Sequence, residues 1–146
     1  MSSQPYPDAI DVSLVGSYPA VVWNGGGYVW DEVLEYRVWC HPKGGAPDEH
    51  EGNDYYYAYA SYAEAVAASK RIEGAEEPVA LIRQLEYLAE DEPGEYQHIK
   101  DVRLTEWPVE FLTRPKRTAD TILAFLSSDA PANRLDILRG LAGRGE

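Results

Sequence analysis

Cys40 and His41 are the residue types of nucleophilic catalysis, a thiol beside an imidazole base. They are consecutive in Leu34 to His41, whose alternation reads as a strand, so their side chains point to opposite faces and cannot meet. Cys40 shares its face with Tyr36 and Val38 and is expected to be a buried thiol. His41, His50 and His98, with Asp48 and Glu51 nearby, supply the donors that zinc and iron sites use. No H-x-H or H-x-x-x-H pair occurs, and His41 and His50 flank a Gly-Pro loop, so no metal site is expected. The acidic loop from Asp48 to Asp54 lacks the D-x-D-x-D-G spacing of a calcium loop.

Phosphate and acyl chemistry leave no clearer mark. Asn24-Gly25-Gly26-Gly27 is a turn, but neither a G-x-G-x-x-G run opening a helix nor a phosphate loop ending in Gly-Lys-Ser. The G-x-S-x-G elbow of serine hydrolases is absent. With 25 acidic residues, carboxylate pairs are too easily proposed to single one out. Catalytic residues therefore stay unassigned, and whether the chain is an enzyme stays open.

Aromatic residues are the remaining lead. The chain holds 11 Tyr and 4 Trp but only 2 Phe, a bias toward rings with a polar tip. Such rings suit half-buried walls, interfaces and ligand platforms. Tyr55, Tyr57 and Tyr59 alternate along one strand face, and the ligand or interface candidates are these three with Trp39 and Arg37.

The elements that must position them follow from the pattern. Residues 1–9 read as a loose arm. Val12 to Val15 and Ala20 to Trp23 read as short edge strands. The glycine turn then suggests a hairpin with Trp23 and Trp30 near its ends. Tyr55 to Ala60 forms a strand antiparallel to Leu34 to His41. Ser61 and Glu64 stand in capping-box spacing, so a helix runs to about Glu73, with Gly74 at C′. Val79 to Leu88 reads as one strand, Glu90 to Gly94 as a turn, and Tyr96 to Leu104 as the return strand. Trp107 to Leu112 reads as extended, with Pro108 confining it to an edge or bend. Two helices close the chain over 118–142, capped by Thr118 or Asp120 and by Asn133, the second presenting Leu135, Leu138 and Leu141.

This order predicts one α+β domain over residues 1–146, with a mainly antiparallel sheet and helices on one face. The preferred version is a ferredoxin-like core at 34–112. A hydrophobic fraction of 45% supports a packed core. The single cysteine excludes an internal disulfide and suits a reducing cytoplasm, and neither a signal segment nor a membrane span is expected.

The net charge of −12 argues against nucleic acid and anionic membranes as partners. It is uneven. Residues 1–113 carry 7 Lys and Arg against 21 Asp and Glu, whereas residues 114–146 carry 6 against 4. Such a body is either simply soluble or made to dock a basic protein.

Tyr28-Val29-Trp30-Asp31-Glu32-Val33-Leu34-Glu35-Tyr36-Arg37-Val38-Trp39 and Gly74-Ala75-Glu76-Glu77-Pro78 resemble segments of a group of short bacterial proteins, over about residues 10–112. Some members are identified as GCN5-related N-acetyltransferases. That resemblance implies acetyl-coenzyme A at a splayed strand pair, its pyrophosphate held by a Q/R-x-x-G-x-G/A loop. The nearest segment is Arg139-Gly140-Leu141-Ala142-Gly143-Arg144-Gly145, with alanine where the first motif glycine belongs. No catalytic residue transfers.

The leading expectation is a non-enzymatic binding or regulatory module, homodimeric, using the aromatic sheet face or its edge and without a cofactor. An acetyl-coenzyme A-dependent enzyme and an acidic inhibitor or immunity-type protein are the alternatives.

Overall fold

The computed structural model describes residues 6–139. Its elements are β1 (Trp23–Asn24), β2 (Glu32–Cys40), β3 (Tyr55–Tyr59), α1 (Tyr62–Arg71), β4 (Val79–Gln84), β5 (Tyr87–Glu92), β6 (Glu95–Ile99), β7 (Arg103–Pro108), α2 (Thr121–Leu126) and α3 (Arg134–Leu138). Five strands form one sheet in the order β1-β7-β4-β2-β3, and β5 pairs with β6 in a separate hairpin. The larger sheet is antiparallel except at β1–β7. The fold is α+β.

The nine-residue β2 lies at the centre. Tyr36, Val38 and Cys40 face one way and pack with Ala80, Ile82, Trp107, Ala65 and Ala68, all nearly inaccessible. Alanines at two helical positions let α1 sit close on this face. Ser61 caps α1, its oxygen accepting from the Glu64 amide at 3.2 Å and its hydroxyl donating to the Glu64 carboxylate at 3.0 Å. β3, α1 and β4 form a split β-α-β crossover, with β2 between its strands. The β5–β6 hairpin is inserted between β4 and β7, which pair antiparallel, and no second β-α-β crossover follows among the described residues. A second core holds Val29, Leu88, Ile122, Phe125 and Leu138, joining α2 and α3 to that hairpin.

Several boundaries differ from the sequence expectation. Val12–Leu14 is a 3-10 turn rather than a strand, because the Asp11 carboxylate captures the Ser13 amide. Trp23 and Asn24 run parallel to Thr105 and Glu106 on β7, so no Trp23–Trp30 hairpin exists. The strand expected over 79–88 is two strands in two sheets. It breaks where the Asp31 carboxylate accepts the Leu85 amide at 2.7 Å. The return strand expected over 96–104 likewise divides into β6 and β7, and Val109–Thr113 tightens into a 3-10 turn. Ile72, in an extended conformation, ends α1, and Gly74 follows at φ 78°. A Cβ on Gly74 would stand 2.3 Å from the Ala46 nitrogen, so glycine there serves a close loop crossing. Neither Asp120 nor Asn133 makes a side-chain cap bond. Leu141 lies outside the described residues. No helix among them is long and apolar enough to cross a membrane.

Candidate functional site

The five candidates from the sequence divide between the two sheet faces. Across β2–β3, Tyr55, Tyr57 and Tyr59 lie opposite Cys40, Val38 and Tyr36, whereas Arg37 and Trp39 lie opposite Ala58 and Tyr56. A single wall of all five is therefore excluded by the pleat. The tyrosine face is covered largely by the chain itself. Tyr55 is buried and donates its hydroxyl to the Pro47 carbonyl at 2.8 Å. Tyr59 packs against the core beside α1. Tyr57 is partly exposed and donates to Glu49 at 3.3 Å. Cys40 is fully buried, and burial pushes its thiol pKa up.

On the opposite face Arg37 is fully buried. It donates to Glu35 at 2.7 Å, Glu106 at 2.9 Å and the carbonyls of Pro19 and Ala20, and lies 4.4 Å from the Tyr56 ring centroid. Trp39 donates its indole N–H to Glu106 at 3.0 Å. Glu35 also accepts the Gly16 amide at 2.7 Å. The segment 16–20 thus straps the face, and no buried side-chain nitrogen or oxygen among the described residues lacks a partner. The Arg37 and Trp39 side chains are both bonded within the chain on this face.

An incompletely satisfied set of cations lies elsewhere. A cavity of about 450 Å³ opens between the glycine turn, β5, the start of β7 and the Phe111–Arg114 segment. Arg103, Arg114 and Arg139 line it, with Trp23, Tyr28 and Phe111 as aromatic walls. None of the three arginines has a carboxylate within salt-bridge distance among the described residues, whereas Arg37, Arg83 and Arg117 all do. Glu90 is the lone acidic residue in the lining.

Each guanidinium is held by ring faces instead. Arg103 lies 4.0 Å from the Tyr87 centroid and 5.1 Å from that of Trp23. Arg114 lies 3.8 Å from Phe111 and 5.1 Å from Trp107, and Arg139 lies 5.6 Å from Tyr28. Stacking fixes a guanidinium while leaving its in-plane N–H groups free for an anion. Burial lowers the pKa of Arg103, and burial followed by the proximity of Arg139 lowers that of Arg114. Arginine keeps its charge regardless. Arg103 and Arg114 have thus lost water without a carboxylate at salt-bridge distance among the described residues.

The glycine turn makes this arrangement possible. A Cβ on Gly26 would come 2.9 Å from the Arg103 guanidinium, and one on Gly27 would come 2.3 Å from the Gln84 amide nitrogen. Gln84, fully buried, donates to the carbonyls of Gly26 and Val29 at 2.9 Å each. Its oxygen accepts from Arg103 Nε at 2.8 Å and Thr105 at 2.9 Å. The Trp107 indole also donates to the Gly26 carbonyl at 2.9 Å. One glutamine therefore sets both the turn and Arg103. Tyr28, next in the chain, has φ 61°, an uncommon conformation for a tyrosine. Its hydroxyl donates to Glu90, which the Gly94 amide also contacts, and these bonds hold the Glu90 carboxyl below its ordinary pKa.

None of the cavity arginines stood among the sequence candidates. The signals were the triple glycine and the basic excess after residue 113, but nothing in the linear pattern joins the two. The nearest match to the acetyl-coenzyme A loop, residues 139–145, lies outside the described residues beyond Arg139. No group of three or more His, Cys, Asp or Glu side chains fit to hold a metal occurs among the described residues. Comparisons with protein-family models, curated proteins and solved structures find no match.

Proposed function

We propose that this chain is a ligand-binding or regulatory module whose ligand is a small anion held in the arginine-lined cavity. The observation that carries the reading is three guanidiniums lying over rings, without a carboxylate within salt-bridge distance among the described residues, in a chain of net charge −12. Arginine in such a setting suits phosphate and carboxylate groups. Thermal-shift measurements with pyrophosphate, acetyl-coenzyme A and an uncharged control test it. Pyrophosphate should raise the melting temperature by mass action, and the uncharged control should not. No shift at millimolar pyrophosphate would count against the module.

Acetyl-coenzyme A is included because the family resemblance implies it and the same cavity offers cations for its phosphates. A shift with acetyl-coenzyme A but not with pyrophosphate would favour the transferase reading. The inhibitor alternative rests on the acidic body, and salt-sensitive capture of a basic partner would support it.

The proposed homodimer uses β3, the outer strand of the sheet, where Tyr57 is exposed. An unpaired strand edge is a template for a second copy. Sedimentation should give a dimer at micromolar concentration, and a monomer would remove this proposal. The buried lone cysteine fits a reducing cytoplasm as the working location.

A further inference from the structure

Trp23 is the exposed member of the four tryptophans, at 62% of its full accessibility, while Trp30 and Trp107 are buried and Trp39 is half-buried. It stands on the wall of the cavity, on a strand only two residues long. Arg103 lies against its ring, and the large residual exposure leaves indole surface open beside the cations. Phe111 and Tyr28 add further ring surface to the same lining. An anion alone would engage Arg114 and Arg139 and leave this aromatic surface wet. A ligand with both a planar ring and an anionic group would cover it.

Glu90 narrows the chemistry further. Its carboxylate accepts from the Tyr28 hydroxyl and the Gly94 amide, with Tyr96 as a further donor, which leaves lone-pair capacity for one more hydroxyl. A carboxylate repels phosphate but accepts hydroxyl donors, so the part of the ligand near Glu90 carries hydroxyls. Planar ring, hydroxyl-bearing spacer and charged end together describe a nucleotide.

We infer that the cavity takes a nucleoside diphosphate, with the base on Trp23, the ribose hydroxyls at Glu90 and the diphosphate at Arg114 and Arg139. The inference rests on the anion-binding reading and specifies its ligand. No glycine-rich nucleotide loop is involved, because stacked guanidiniums take the place of helix N-terminal amides.

Calorimetric titration of the full chain with ADP, pyrophosphate and adenosine tests it, with Trp23→Leu alongside the wild type. ADP should bind about tenfold or more tightly than pyrophosphate, from the added base stacking. Trp23→Leu should erase that advantage, bringing the ratio of ADP affinity to pyrophosphate affinity down to about one. Equal wild-type affinities for ADP and pyrophosphate would overturn the nucleotide and leave the anion site standing. So would equal weakening of both ligands by Trp23→Leu, since Trp23 would then act only by holding Arg103. No binding of either phosphate ligand would remove the nucleotide and the anion site together.

Discussion

Arg37 shows how far a single side chain can commit a sheet face to structure. Its guanidinium pairs with two carboxylates, Glu35 and Glu106, and donates to two carbonyls of the strap, with no exposure to water. Such a cluster contributes little beyond what an apolar core would, but losing one member leaves the others buried and uncompensated. Arg37→Met should therefore lower unfolding free energy by about 3–5 kcal/mol in urea titration. A loss below about 1 kcal/mol would mean that water reaches the carboxylates. The facing of Arg37 beside Trp39 was readable from alternation in β2. Its burial was not, because the covering segment 16–20 has no periodicity to announce it. Arg103 was hidden for a related reason: its neighbours Trp23, Gly26 and Gln84 come from distant parts of the chain.

Local codes account for what was legible among the elements. The Ser61 and Glu64 spacing placed the start of α1, and alternation placed β2 and β3, since each signal lies within one element. The break between β4 and β5 falls where Asp31 reaches Leu85, a contact across 54 positions. No local window contains it. A similar long-range tie joins the loop after β2 to the segment before β4. His41 contacts Asp54 at 2.9 Å through Nδ1 and Glu76 through Nε2. The Asp54 bond first, then the Glu76 bond, raise the His41 pKa. A raised folded-state pKa stabilises the protein fully below the unfolded value of about 6.5, and that contribution is lost as pH rises through the folded-state value. Melting temperatures of wild type and His41→Gln should accordingly differ more at about pH 6 than at about pH 9. A gap independent of pH would show that the imidazole acts by packing alone.

Across the whole molecule the acidic surplus and the arginine cavity are complementary. Residues 1–113 carry the surplus of carboxylates, while Arg114 and Arg139 come from the basic segment that follows. The fold brings that segment over the β5–β6 hairpin through α2, α3 and the second core. Arg117 fixes the approach by pairing with Asp31 and Glu86, each at 2.9 Å. The surrounding negative field discourages non-specific anions, so an anion that binds must gain its affinity inside the cavity. The decisive measurement is calorimetric titration of pyrophosphate into wild type and Arg114→Gln, at about 50 and about 200 mM salt. One binding site in the wild type is predicted, weakened about tenfold by Arg114→Gln and weakened again by the added salt. Equal affinity in the two proteins, or no heat at millimolar pyrophosphate, would contradict an anion site at these arginines.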